Sequence, residues 1–133
     1  MAEPQSSENN ALTYEIIGCA IAVHKELGPG LLESVYEEAF YRKLSDAGLT
    51  VEKQPKIRVP FEGELLRRSF RPDFLVGEKV VVEIKSVASV LPLHQAQLLT
   101  YMKLARVPLG LIINFNVLLL TKGVKRLIMT KAP

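Results

Sequence analysis

The sequence predicts an α/β (α+β) fold, with helices packed on a mixed β-sheet in the order α-α-β-β-β-β-α-β-β-β. Three observations predict it. Two stretches near the start repeat apolar residues at helical spacing. Short apolar segments separated by Gly, Pro and charged pairs then read as strands. One more helical stretch interrupts those strands, and helices laid on a sheet bury the apolar faces of both.

Leu12, Ile16, Ile17, Ala20, Ile21, Val23, His24 and Leu27 predict a helix over residues 11–27, stopped by Gly28-Pro29-Gly30. Leu31, Leu32, Val35, Tyr36, Ala39, Phe40 and Leu44 give the stripe of a second helix over 31–47, ended by Gly48. Residues 51–59 read as a strand in which Pro55 marks an edge or a bulge. Phe61-Glu62-Gly63-Glu64 is a turn, and 65–70 runs back as a strand. Residues 71–76 and 80–85 flank Gly77-Glu78-Lys79 as a hairpin that completes a meander. A loop over 86–92 leads to a third helix over 93–106. The strand 109–114 follows, and then a last hairpin, 117–121 with 124–129, about Lys122-Gly123. The uninterrupted apolar runs at 80–82 and 109–113 predict central strands buried on both faces.

Composition bounds the class. At 133 residues, 48% hydrophobic and 23% charged, residues 11–133 are expected to form one globular domain behind a flexible, polar tail over residues 1–10. A net charge of +3 permits a polyanionic partner without demanding one. No segment has the ~20 apolar residues of a membrane span, and the first residues carry no secretory apolar core. A single cysteine excludes an internal disulfide. Together these predict a cytoplasmic protein with no membrane association. Cys19 reads as a small core residue, His24 as a structural histidine and His94 as an exposed one near a loop.

The chemistry concentrates in Arg71-Pro72-Asp73 and Glu83-Ile84-Lys85. Pairing about residues 77–79 brings positions 73 and 83 to the same end of the hairpin. Glu83 and Lys85 then share one face while Ile84 points to the other. Charged side chains are seldom buried unless paired or bound to a metal, so two carboxylates and an ammonium in an apolar sheet point to a cation site. Asp73, Glu83 and the Ile84 carbonyl are candidate ligands for Mg²⁺ or Mn²⁺, which favour oxygen donors. Lys85 is placed to orient a water or stabilise developing charge. Glu33, in the first turn of the second helix, can complement the helix dipole or join the metal. Gln97 and Tyr101 lie four apart on one face of the third helix, where an amide and a hydroxyl can position a phosphate or a water. Arg71 is the best placed of the basic residues to meet a phosphate backbone, together with Lys85 and Gln97. Taken alone, Tyr101 reads more often as a partly buried core aromatic, Tyr36 as core packing, and Glu83 with Lys85 equally as a surface ion pair.

Pro72-Asp73 followed by Glu83-Ile84-Lys85 on the next strand resembles the signature of the PD-(D/E)XK nuclease superfamily, and Gln97-x-x-x-Tyr101 is similar to the extra motif of its RecB-like and Cas4-like branches. Gly30-x-x-Glu33-x-x-Tyr36 resembles the motif that names the small GxxExxY family within that superfamily. The resemblance covers about residues 12–129. It implies a restriction-endonuclease-like core and a metal-dependent nuclease. Asp73, Glu83, Lys85, Glu33, Gln97 and Tyr101 would be the catalytic residues, Mg²⁺ or Mn²⁺ the cofactor and nucleic acid, above all DNA, the substrate. It equally admits a non-catalytic module that binds nucleic acid or protein on the same scaffold. A homodimer or a partner protein is a further expectation, because the apolar C-terminal hairpin either forms an exposed edge or packs within the core.

Overall fold

A computed structural model describes residues 7–129. Helix α1 (Ser7–Leu27) and helix α2 (Glu33–Asp46) pack against one face of a five-stranded sheet, and helix α3 (Pro92–Ala105) against the other. The sheet comprises β1 (Val51–Lys53), β4 (Phe74–Val76), β5 (Val80–Lys85), β6 (Leu109–Asn114) and β7 (Val124–Ile128), in the order β1-β4-β5-β6-β7. Only β5 and β6 are parallel, joined through α3. Strands β2 (Ile57–Phe61) and β3 (Glu64–Phe70) form a separate two-stranded sheet. The α+β class and the mixed sheet agree with the sequence reading. No helix among the described residues is long and apolar enough to cross a membrane.

Side-chain alternation along β5 organises the two layers. Val80, Val82 and Ile84 face α1 and α2 and join Ile16, Ala20, Tyr36, Phe40 and Leu44 in the larger core. Val81 faces α3 and joins Leu98, Met102 and Ile112 in the smaller one. Burying each such side chain contributes about 1.5–3 kcal/mol, so both faces of β5 and β6 are committed to packing. Gly110 lets α3 lie close: a Cβ there would meet the Met102 Sδ at 2.5 Å and both Leu98 methyl carbons at 3.0 Å. Aromatic rings fill the α2 side. Tyr36 stacks on Phe115 at 4.6 Å, and Phe40 meets Phe74 and Phe115 edge-on at 6.0 Å.

Four local expectations are corrected. Residues 7–10, read as tail, belong to α1, and the rest of that tail lies outside the described residues. The single strand expected over 51–59 is two. Gln54 adopts φ 46° and Pro55 has no N–H to donate, so the ladder breaks there. The meander is therefore absent, because the 57–70 hairpin leaves the main sheet and the chain returns to pair β4 with β1. Lastly, 117–121 is not a strand. Val117 gives its carbonyl to His24 Nε2 at 2.7 Å, and a 3₁₀ turn at Leu120–Gly123 feeds β7 directly onto β6. The sheet edge at the C-terminal end is therefore β7 alone.

Candidate active site

The turn at Gly77-Glu78-Lys79 sets the register Phe74↔Val82, which puts Asp73 opposite Glu83. The two carboxylates cross. The Asp73 N–H donates to Glu83 Oε1 at 2.8 Å, and the Ile84 N–H donates to Asp73 Oδ2 at 2.7 Å. Each side chain thus extends the ladder where β4 has run out of backbone partners. Each also keeps one oxygen clear of the backbone. Buried Pro72 precedes Asp73, and the Asp73 carbonyl accepts the Gln54 N–H at 2.9 Å, so Asp73 is fixed from both sides.

The Lys85 carbonyl accepts from the N–H of Phe115, just after β6, at 3.0 Å. Successive carbonyls of a strand point to opposite edges, so that of Ile84 is directed toward Asp73. Glu83 and Lys85 continue the face of Val81, as expected, and both are half-buried.

Charge is crowded here. Burial and a hydrogen-bonding approach by the Glu37 carboxyl raise the Asp73 pKa to about 7, with the charges of Glu37 and Glu33 adding to the effect and the Ile84 N–H opposing it. Burial, then the Asp73 charge, raises Glu83 to about 7 as well, while the Asp73 N–H and Lys85 pull the other way. Burial and the same two carboxylates raise the Tyr101 pKa, so its hydroxyl stays protonated and can donate.

Asp73, Glu83, Lys85 and Tyr101 are therefore brought together. Glu33 acts on both carboxylates, but as the weakest of their influences and from an exposed position. Gln97 is exposed one turn before Tyr101, and Arg71 is exposed two residues before Asp73; neither makes a side-chain hydrogen bond among the described residues. Glu37 is the residue the sequence reading missed. It lies one turn beyond Glu33 on α2, and the i, i+4 spacing places both on the same side of the helix. It lines a cleft of about 250 Å³ with Ser34, Lys53, Gln54 and Asp73.

The Gly30-x-x-Glu33-x-x-Tyr36 segment serves position. Gly28 and Gly30 adopt φ 68° and 95°, open to glycine at little cost. The buried Tyr36 hydroxyl donates to the Gly28 carbonyl and accepts the Leu31 N–H at 3.2 Å. Ser86, next to Lys85, donates to the Leu31 carbonyl at 2.6 Å. The loop that starts α2 is thereby pinned to the end of β5. Tyr36 is a core aromatic, and His24 is a structural, hydrogen-bonded histidine. Half-buried Cys19 packs against the larger core. His94 is half-buried rather than exposed, because its Nδ1 accepts the Leu91 N–H at 3.0 Å and closes the start of α3.

A model of the PD-(D/E)XK nuclease superfamily matches residues 10–127. The chain belongs to that superfamily. Searches of curated proteins and of solved structures found no match. The superfamily comprises nucleases in general and accounts for the mixed sheet flanked by helices. Among the described residues, no three His, Cys, Asp or Glu side chains are gathered as a ready cage for a metal. The expected set of Glu33, Asp73 and Glu83 is thus an open one, a close pair with a distant third. That set still fits a hard cation, for two reasons. Every donor is an oxygen, and Mg²⁺ keeps several waters and needs only one or two carboxylates. The crowding that lifts both carboxyls to about 7 is also what a divalent cation relieves.

Proposed function

We propose that this PD-(D/E)XK protein is a divalent-metal-dependent nuclease of the GxxExxY branch that hydrolyses phosphodiester bonds in DNA. The observation that carries the reading is the crossed Asp73–Glu83 pair with Lys85 beside it. Asp73, Glu83 and the Ile84 carbonyl would hold the metal, with Glu33 or Glu37 reaching it through water. A bound Mg²⁺ or Mn²⁺ supplies Lewis acidity toward the phosphate and lowers the pKa of a coordinated water.

The chain's own groups supply the rest. Lys85 places a positive charge where negative charge grows on the phosphoryl oxygens. Tyr101 offers a protonated donor from the α3 side, and Gln97, one turn away, offers an amide to a phosphate. The Asp73 and Ile84 N–H groups hold the two carboxylates in one rotamer each, so little reorganisation accompanies the reaction.

Cleavage of end-labelled DNA with Mg²⁺ or Mn²⁺ tests the reading. The wild type should cut, and Asp73→Asn, Glu83→Gln and Lys85→Met should each lose activity by at least about 100-fold while remaining folded. DNA binding without metal-dependent turnover would leave a non-catalytic module on the same scaffold.

A further inference from the structure

The 57–70 hairpin stands outside the main sheet and starts at the site. Gln54, before its first strand, bonds to the backbone of Asp73, just after its second. Phe70 stacks on Tyr101 at 4.7 Å, and Tyr101 feels the charges of Glu83 and Asp73. The root of the arm is therefore one residue from the carboxylates. Its tip is a two-residue turn in which Glu62 and Gly63 adopt φ 51° and 84°. β3 bulges, so the span from the Ile57–Phe70 pair to the Phe61–Glu64 pair is set by four residue steps of β2, a reach of about 13 Å, or roughly four base steps of B-form DNA.

Two features of the arm point outward from the described residues. The first is charge. Residues 56–71 carry Lys56, Arg58, Arg67, Arg68 and Arg71 against Glu62 and Glu64, a surplus of three cations that equals the net charge of the whole protein, +3. Arg58 donates to the Leu66 and Leu65 carbonyls and braces the irregular pairing between Arg58 and Pro60. Arg67 and Arg68 are exposed, and their side chains make no hydrogen bond or ion pair among the described residues. The second is apolar surface at the tip, where Phe61 is 59% and Leu65 56% exposed. Strand alternation puts Phe61 on the same side of β2 as Ile57, which is paired with Phe70. That side leads back to the carboxylates.

Resting on the nuclease reading, we propose that this hairpin is a nucleic-acid-gripping arm for a strand with unpaired bases. Arg67 and Arg68 contact phosphates, and Phe61 stacks on an exposed base. Cation–phosphate contacts need no sequence, and an aromatic ring accepts any base face. Unpaired bases offer such faces, whereas a continuous duplex offers them only if unstacked. The preferred substrate class is accordingly a tailed duplex end, gap or flap, cut about four base steps from where the tip binds.

Fluorescence anisotropy tests this in the Asp73→Asn background, where cleavage is absent. The probes are a blunt duplex and the same duplex with a ten-nucleotide single-stranded tail (about six beyond the arm's reach of roughly four), titrated across a salt series. The parent should favour the tailed probe. Adding Arg67→Ala and Arg68→Ala should weaken both complexes and reduce the slope of log affinity against log salt by about 1.4–1.8. Adding Phe61→Ala should leave the slope alone and remove the preference for the tail. Shortening the tail below about four nucleotides should do the same.

An unchanged slope in the arginine variant overturns the arm while the nuclease reading stands. An unchanged preference in Phe61→Ala overturns the stacking. Failure of the parent to bind either probe overturns the nuclease reading, and the arm with it. A dimer by light scattering that Phe61→Ala turns into monomer would make the tip a contact between copies and would likewise overturn the proposal.

Discussion

Replacing Asp73 by Asn should make the metal-free protein more stable at pH 8 and leave it inactive. Burial and the nearby Glu37 hold the Asp73 carboxyl at about 7 instead of its ordinary 3.8. A carboxyl whose pKa is raised on folding contributes stability that is complete below pH 3.8 and is lost as pH climbs through 7. That difference amounts to roughly 4 kcal/mol once pH exceeds both values. Solvent reaching a half-buried group, and coupling to Glu83, reduce the observable effect to about 1–3 kcal/mol. Asn keeps an oxygen to accept the Ile84 N–H, so the crossed hydrogen bond survives. It also removes the charge that is the second-largest cause of the raised Glu83 pKa. The variant should thus melt roughly 5–10 °C above wild type at pH 8 in chelator. At pH 5, where Asp73 is protonated in the folded chain but ionised in the unfolded one, the gap should narrow, and it should close only below pH 3.8. Differential scanning calorimetry across pH 5–8 reads this directly. An Asn variant no more stable than wild type at pH 8, or a difference that does not change with pH, would refute the claim that these carboxylates are crowded.

Three other outcomes follow from the same geometry. Mn²⁺ at a hundred times its dissociation constant should stabilise the wild type at pH 8 by about 2.7 kcal/mol. Its affinity should fall from pH 8 to 6 as Asp73 and Glu83 take up protons, and the thermal shift should vanish in Glu83→Gln. Tyr36→Phe keeps the stack on Phe115 but leaves the Gly28 carbonyl and Leu31 N–H without their partner. Urea unfolding should show a loss of about 1–3 kcal/mol with an unchanged slope. Buried Asn114 accepts the Val87 and Asn116 N–H groups and donates to the Val87 carbonyl at 2.9 Å. Asn114→Ala should cost about 2–3 kcal/mol and speed hydrogen exchange in the 86–91 loop.

The elements that carried strong periodicity were legible in the sequence. The β4–β5 hairpin needed only two apolar runs and a Gly turn, and from it the Asp73–Glu83 opposition followed by counting. The runs at 80–82 and 109–113 lie at the sheet's centre because only a strand covered on both sides tolerates so few polar residues. The 57–70 hairpin's departure from the sheet was not legible, since local pattern says that two strands pair and not which sheet they join. The 117–121 segment looked like a strand because Val and Leu favour strands. Its conformation is decided instead by His24, some 93 residues earlier, capturing the Val117 carbonyl. Glu37 was hidden for a different reason. Among the acidic residues of α2 nothing local separates a solvated carboxylate from one that meets Asp73, and the difference lies in how α2 crosses the β1–β4 edge.

The electrostatics of the site argue for function independently of any motif. Asp73 and Glu83 do not stabilise the metal-free protein at neutral pH. Each raised pKa means that its charged form opposes folding there. Neighbouring positions on the same strands are filled by Val, Phe and Ile, which do contribute to the core. A sheet built for stability alone would place neutral residues at 73 and 83. The two crossed hydrogen bonds do not remove the difficulty, because they lower both pKa values without outweighing burial. On the proposed reading, a cation from solution would compensate this concentrated negative charge at the end of a central strand. Lys85, already beside Glu83, is half-buried on the same face and leaves the carboxyl near 7. On the nuclease reading proposed above, a divalent metal would supply the charge that completes the site, and its binding would recover the stability sacrificed at these two positions.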